Sequence, residues 1–302
     1  MTTTVDATRR PGRLRLQGVS QRQPPASQRW RLLPTLVLVA GALYCLLPVI
    51  WVPMAATKTG AELFTTFTLA PGHGLIGNLR ELSAYRGGQF WRWMLNSAVY
   101  TGFGAALSAM LSAVTGYALA KYRFRGRKLV FNLLIAGVLV PQITLAVPQY
   151  LLLAKVGLAG SYWSVLLPSI FSPYGIYLAR IYATAAIPDE MLEAARLDTA
   201  SELRVFRSVA IPLMLPGMVT VFLVQFVAIW NNFLLPFIML SDDDRFPITV
   251  GLYTLLSQGA SQPALYTLVI TGALLSTVPL VALFLSLQRY WRLDLITGGL
   301  KG

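Results

Sequence analysis

Two groups of residues have types and spacings that could do chemistry. The first is Glu193-Ala194-Ala195-Arg196-Leu197-Asp198-Thr199-Ala200, running on to Phe206 and to Ile211-Pro212-Leu213-Met214-Leu215-Pro216. Nine charges fall between Arg180 and Arg207, while the apolar runs on either side carry none. A charged, helix-forming segment between two apolar runs must sit in water, where a soluble partner can reach it. Ala194 and Ala195 are small, strong helix formers that permit close approach. Met191, Leu192 and Ala195 recur at helical spacing and predict a docking face, with Leu203 and Phe206 packed back toward the apolar helices. Asp198 is expected to cap a next short helix opening at Ala200, Ser201 and Glu202. The second group is neutral: Gln142, Gln225, Asn231 and Asn232, beside Trp230. Amides donate and accept without charge, and a flat ring beside them suits the C–H face and hydroxyls of a pyranose. Hydrogen bonding between helices is an equally good use for Gln142 and Gln225, and packing against another subunit is one for Trp230.

Catalysis finds little here. One cysteine, Cys45, forms no intrachain disulfide, and one histidine, His73, makes a histidine-based metal site improbable. There is no G-x-x-x-x-G-K-[ST] loop, so no nucleotide is bound by that route. Neither a metal nor a cofactor is expected.

The elements that must position these residues are membrane spans. Mean hydropathy of +0.60, with 55% hydrophobic and 12% charged residues, is the balance of a multi-span membrane protein. A span needs about 20 apolar residues. Runs of that length are Leu32–Thr57, Met94–Ala120, Leu129–Ala154, Val156–Ala179, Ser208–Ser241 and, after a turn-rich stretch, residues 264–288. The expected fold is therefore all-α and integral to the membrane, with six transmembrane helices and no ionisable group inside any of them. Residues 1–31, with seven arginines and one acid, read as a disordered basic tail. Residues 32–57 form the first span, 58–93 an external segment broken by glycines, 94–290 the remaining core and 291–302 a second tail.

Orientation follows from basic residues. Segments 1–31, 121–128, 180–207 and 289–302 hold 19 of the 25 Lys and Arg, so both termini and the Glu193 loop are expected on the cytoplasmic side. The run from Lys121 to Lys128 reads as a short loop fixing topology and touching anionic lipid rather than nucleic acid. Trp30, Trp51, Trp91, Trp93, Trp163 and Trp291 fall at predicted span ends, where headgroups hold amphipathic rings. Trp230 does not.

The stretch from Glu193 to Pro216 resembles the E-A-A loop of the permease subunits of bacterial ATP-binding-cassette importers. Asn96-Ser97, Val140-Pro141-Gln142-Ile143-Thr144, Trp230-Asn231-Asn232-Phe233, Ile248-Thr249-Val250-Gly251-Leu252 and the terminal Gly298-Gly299-Leu300-Lys301-Gly302 resemble the carbohydrate, maltose-type branch. The likeness extends over about residues 90–302. It implies a type I importer permease fold and a transport subunit without catalytic activity. It also implies a second permease subunit, two ATP-binding ATPase subunits and an extracytoplasmic sugar-binding protein. The coupling loop would be about 188–207, with Glu193, Ala194, Ala195, Asp198 and Ala200 against the ATPase and residues 298–302 reaching between the ATPase subunits. One position departs from the pattern. Thr199 stands where the family usually has glycine, and a β-branched residue takes positive φ only at a cost, so a turn of another backbone shape is expected.

Rival readings have their own marks. A secondary transporter should show intramembrane acids or arginines and often a repeated half, and a membrane enzyme should show clustered catalytic groups. Neither pattern is present. An importer permease for peptides, polyamines or ions shares the E-A-A loop, and the tail and the Trp-Asn-Asn-Phe stretch favour sugar.

Overall fold

The computed structural model describes residues 28–67, 69–259, 262 and 264–298. Its regular elements are all helices, with no strand among the described residues. The chain divides into two compact units, Met1–Val49 and Ile50–Gly302. The first unit is described through the opening of α1 (Gln28–Ala56), whose Leu36, Val37, Leu38 and Leu43 are all exposed, as a lipid-facing helix requires. Most of the basic tail expected over 1–31 lies outside the described residues.

The second unit begins with two short helices, α2 (Gly60–Thr65) and α3 (Leu75–Ala84), in the segment too broken to span. Thr59 and Glu62 form a reciprocal capping box on α2. Lys58 is buried and donates to the Phe67 carbonyl at 2.7 Å. The central element is α4 (Gln89–Lys121). One of its faces is a run of small residues, Gly104, Ala105, Ser108, Ala109, Ser112, Ala113 and Gly116, all buried. Small residues let helix backbones meet closely, which is how helices associate in lipid. A Cβ on Gly116 would lie 2.6 Å from the Arg180 nitrogen, and one on Gly104 would lie 2.9 Å from Ile229 Cδ1. The helices that fill this face are α8 (Pro173–Ala186) and α11 (Ile211–Trp230).

Three expected spans are interrupted. The run 129–154 is two helices, α5 (Arg127–Leu139) and α6 (Gln142–Lys155), bent by 105°. Pro141 forces the preceding Val140 to extended backbone and itself donates nothing. The run 156–179 becomes α7 (Tyr162–Ile170) and α8, parted at Phe171-Ser172 for the same reason: Pro173 opens α8 and Ser172 Oγ accepts from the Gly175 N–H at 2.9 Å. The run 208–241 starts earlier and stops earlier. Two short helices, α9 (Asp189–Leu197) and α10 (Glu202–Val205), precede it. A π-helical turn at Phe206–Ala210 joins α10 to α11, which ends at Trp230 before α12 (Leu234–Met239). Next come α13 (Ile248–Gly259) and α14 (Ala264–Gly298), which carries helix past the expected end at 288 and over residues 291–298 of the segment expected as the second tail. Among the described residues, four helices are long and apolar enough to cross a membrane, or five if the bent pair counts as one span. The six-span expectation rested on charge-free length, and prolines cut that length.

Candidate functional site

The site builds outward from the C-terminal end of α4. Lys121 Nζ donates to the Ile187 carbonyl and to Asp189 Oδ1, both at 2.6 Å, tying the end of α8 to the start of α9. That ammonium holds the Asp189 carboxyl below the usual aspartate range. The adjacent Tyr122 donates its hydroxyl to Glu202 Oε2 at 2.5 Å. Burial first, and the bond to Glu202 after it, push its phenol above the ordinary value, so it remains a donor. Glu202 also accepts from Arg196 Nε at 2.8 Å and from its Nη2 at 3.3 Å, which bridges α9 to α10. Consecutive residues of α4 and its cap thus staple both short helices. The first two residues of the basic run at 121–128 also hold the neighbouring segment. Neither Tyr122 nor Glu202 stood out by type, since their meeting depends on packing.

Within α9 the faces differ from expectation. Leu192 is 3% exposed and lies in a buried cluster with Ala113, Tyr117, Ile187 and Val205, with Ala195 against it. These two anchor the helix to its own chain. The outward residues are Met191, Glu193, Ala194 and Leu197, the last 84% exposed. Phe206 packs inward beside the Tyr117 ring as expected, whereas Leu203 is 63% exposed.

The turn after α9 also corrects the sequence reading. Thr199 has φ +57°, the left-handed conformation expected of glycine. The Ala200 N–H donates to the Ala195 carbonyl at 3.2 Å and the Thr199 N–H to Arg196 at 3.0 Å, the paired bonds of a Schellman ending. Asp198 is the last residue of that helix end and does not cap the next one. Ser201 occupies the N-cap position of α10.

The amide group is dispersed. Gln142 is exposed at the α5–α6 break. Gln225 donates to Ser172 Oγ, a helix-to-helix bond between α11 and α8. Trp230 is 3% exposed, stacked on Phe226 with ring centroids 5.8 Å apart, and sits in a cluster with Phe90, Trp93 and Leu255. Its ring is covered by residues of its own chain. Because α11 stops there, Asn232 does not share a helical face with Gln225. Asn232 Oδ1 instead accepts from the Leu235 N–H at 3.3 Å. Asn231 Nδ2 donates to the Val227 carbonyl at 2.9 Å, and the residue is exposed. Of the proposed tail, Gly298 ends α14, while Gly299, Leu300, Lys301 and Gly302 lie outside the described residues.

At the other end of α4, polar side chains at helical spacing grip a short 3-10 turn, Asp243–Arg245, and the residues that follow it. Gln89 and Trp93 donate to the Asp243 carbonyl at 2.9 and 3.1 Å. Asn96 donates to the Asp244 and Phe246 carbonyls at 2.9 and 3.0 Å, and Tyr100 to Arg245 at 3.0 Å. Ser97 Oγ accepts from the Ile248 N–H at 2.7 Å. Two stretches noted separately in the sequence, Asn96-Ser97 and the one beginning at Ile248, are therefore in contact. Trp93, expected at the headgroups, is 1% exposed and used here.

An all-helical membrane bundle with a stapled, outward-facing amphipathic helix between two spans is the architecture of a transport subunit that works against a partner. Residues 108–292 match the family of binding-protein-dependent transport system inner membrane components. The chain belongs to that family. It is 35% identical to the arabinooligosaccharides transport system permease protein AraQ of Halalkalibacterium halodurans, over 71% of this chain and 76% of that one. The protein of the same name from Bacillus subtilis is 31% identical over 93% of this chain and 99% of its own. A solved bacterial ABC transporter involved in import of the acidic polysaccharide alginate has the same fold, with TM-score 0.75 and 23% identity over 88% of this chain and 99% of that one.

Proposed function

We propose that this chain is a membrane-spanning permease subunit of an ATP-driven importer that receives a carbohydrate from an extracytoplasmic binding protein. Its partners in that reading are a second permease and two ATPase subunits. The carbohydrate class rests on the arabinooligosaccharide relatives. The observation that carries the coupling role is the two-sided build of α9. Leu192 and Ala195 fix it to the ends of α4 and α8, and Met191, Glu193, Ala194 and Leu197 face outward. A helix fixed on one face and free on the other transmits a push from a soluble subunit to the spans rather than absorbing it. For the solute path, Gln142 and Asn231 are the amides left exposed. Asn231 uses one N–H on Val227, which leaves its other N–H and its carbonyl oxygen for hydroxyls.

Glu193→Lys tests this reading. Reconstituted with its partners, the variant should reach the membrane in normal amount, while ATP hydrolysis loses its stimulation by loaded binding protein. Normal stimulated hydrolysis and uptake in the assembled variant would remove α9 from the coupling path.

A further inference from the structure

A basic depression beside the stapled segment takes no part in the staple. It is a cavity of about 270 Å³ lined by Ser201, Leu203, Arg204, Arg207 and Ser208. Residues three and four apart are neighbours on a helix, so this spacing gathers two guanidinium groups and two hydroxyls on one side. Arg207 and Ser208 belong to the π-helical turn, a geometry frequent at functional sites.

Two acids of the segment are already committed. Glu202 is held by Arg196 and Tyr122, Asp189 by Lys121, and the Arg180 guanidinium lies 3.7 Å from the Phe131 ring centroid. Among the described residues, neither Arg204 nor Arg207 meets a carboxylate. Two uncompensated guanidiniums and two hydroxyls supply forked donors for a tetrahedral oxyanion, the geometry that arginine matches in phosphate. The hollow is open to the surface and encloses no whole small molecule, so a ligand would enter it by a phosphoryl end alone. Its place in the fold adds an apolar neighbour. The stretch apolar enough to cross a membrane begins at Glu202, so the arginines stand at its end, where headgroups lie, and exposed Leu203 adjoins them.

We propose that Ser201, Arg204, Arg207 and Ser208 form a binding site for a phosphate ester, and that the headgroup of an anionic phospholipid fills it. The test uses the assembled complex in nanodiscs of mixed phosphatidylglycerol and phosphatidylcholine, with spin-labelled forms of each lipid reporting the motionally restricted shell. The expected preference for phosphatidylglycerol is about tenfold. It should be lost in Arg204→Gln/Arg207→Gln and at most partly reduced in Arg123→Gln/Arg125→Gln, which removes two charges from the other basic loop. A second arm titrates inorganic phosphate into phosphatidylcholine nanodiscs and follows phosphorus line broadening. Broadening that disappears in the Arg204/Arg207 variant would assign the phosphate site to a free ion instead of a lipid. A preference unchanged in that variant, with no phosphate broadening, overturns the site. So does an equal loss in both variants, which would mark a general surface field.

Discussion

Thr199 is a β-branched residue in a conformation that costs an L-residue about 1–2 kcal/mol. It stays there because its neighbours determine the turn: the Thr199 and Ala200 N–H groups close the end of α9, and Ala200 packs against the same buried cluster as Leu192. A propensity argument weighs the residue alone and so misjudged the turn. The hydrogen-bond pattern belongs to the helix end and is set by its length. Thr199→Gly should relieve the strain, partly offset by the about 0.5–1 kcal/mol that glycine's extra freedom costs on ordering. The net gain should be a few tenths to about 1 kcal/mol, read as slower hydrogen exchange at the Ala200 amide. Faster exchange there would mean that the threonine side chain, and not the turn, holds the loop. Glu193 and Ala194 were legible as outward-facing residues; Leu192 was not. An apolar residue at helical spacing can serve a partner or its own core, and only tertiary packing decides which.

At the scale of elements, charge counting located the segments but not their attachments. Lys121 counted as one cation among five in a loop, yet its acceptor is a main-chain carbonyl 66 residues away, invisible to any side-chain pattern. The bends at Pro141 and Pro173 were visible as prolines and were outweighed by uninterrupted hydropathy. Lys121→Met should leave the Ile187 carbonyl without its donor, and hydrogen bonds to charged groups contribute about 1.5–3 kcal/mol. The α8–α9 junction should then exchange its amides faster, and stimulated ATP hydrolysis should fall while membrane yield holds. The Asp189 carboxyl supplies a pH arm. Its folded-state pKa is lowered, so its contribution is complete above the ordinary aspartate value of about 3.9 and is lost as pH falls through the lower folded value. Acidification through that window should lower amide protection factors in α9 of the native chain, and lower them less in Lys121→Met, where the Glu202–Arg196 pair is the carboxylate contact left to titrate. An equal response in both would show that other carboxylates govern the junction.

Across the whole molecule, α4 joins two polar constructions. The carbonyl clamp on residues 243–246 occupies its first turns and the Lys121–Tyr122 staple its end. Thirty-three helical residues are about 50 Å long at 1.5 Å per residue, against a hydrocarbon core of about 30 Å. A helix of that length with polar grips at both ends and small buried residues between them suits a strut across the bilayer, carrying displacement of α9 to the clamped loop. From the basic-residue count we expect the staple inside and the clamp outside. With Cys45 replaced by Ser, exposed Ser241 and Glu190 supply one cysteine position near each end. On intact cells, Ser241→Cys should react with a membrane-impermeant maleimide, and Glu190→Cys should react only after permeabilisation. Reaction of both from outside would place the two constructions on one face, and α4 could not be the strut. Reversed accessibility would keep the strut but invert the chain, leaving α9 beyond the reach of a cytoplasmic ATPase.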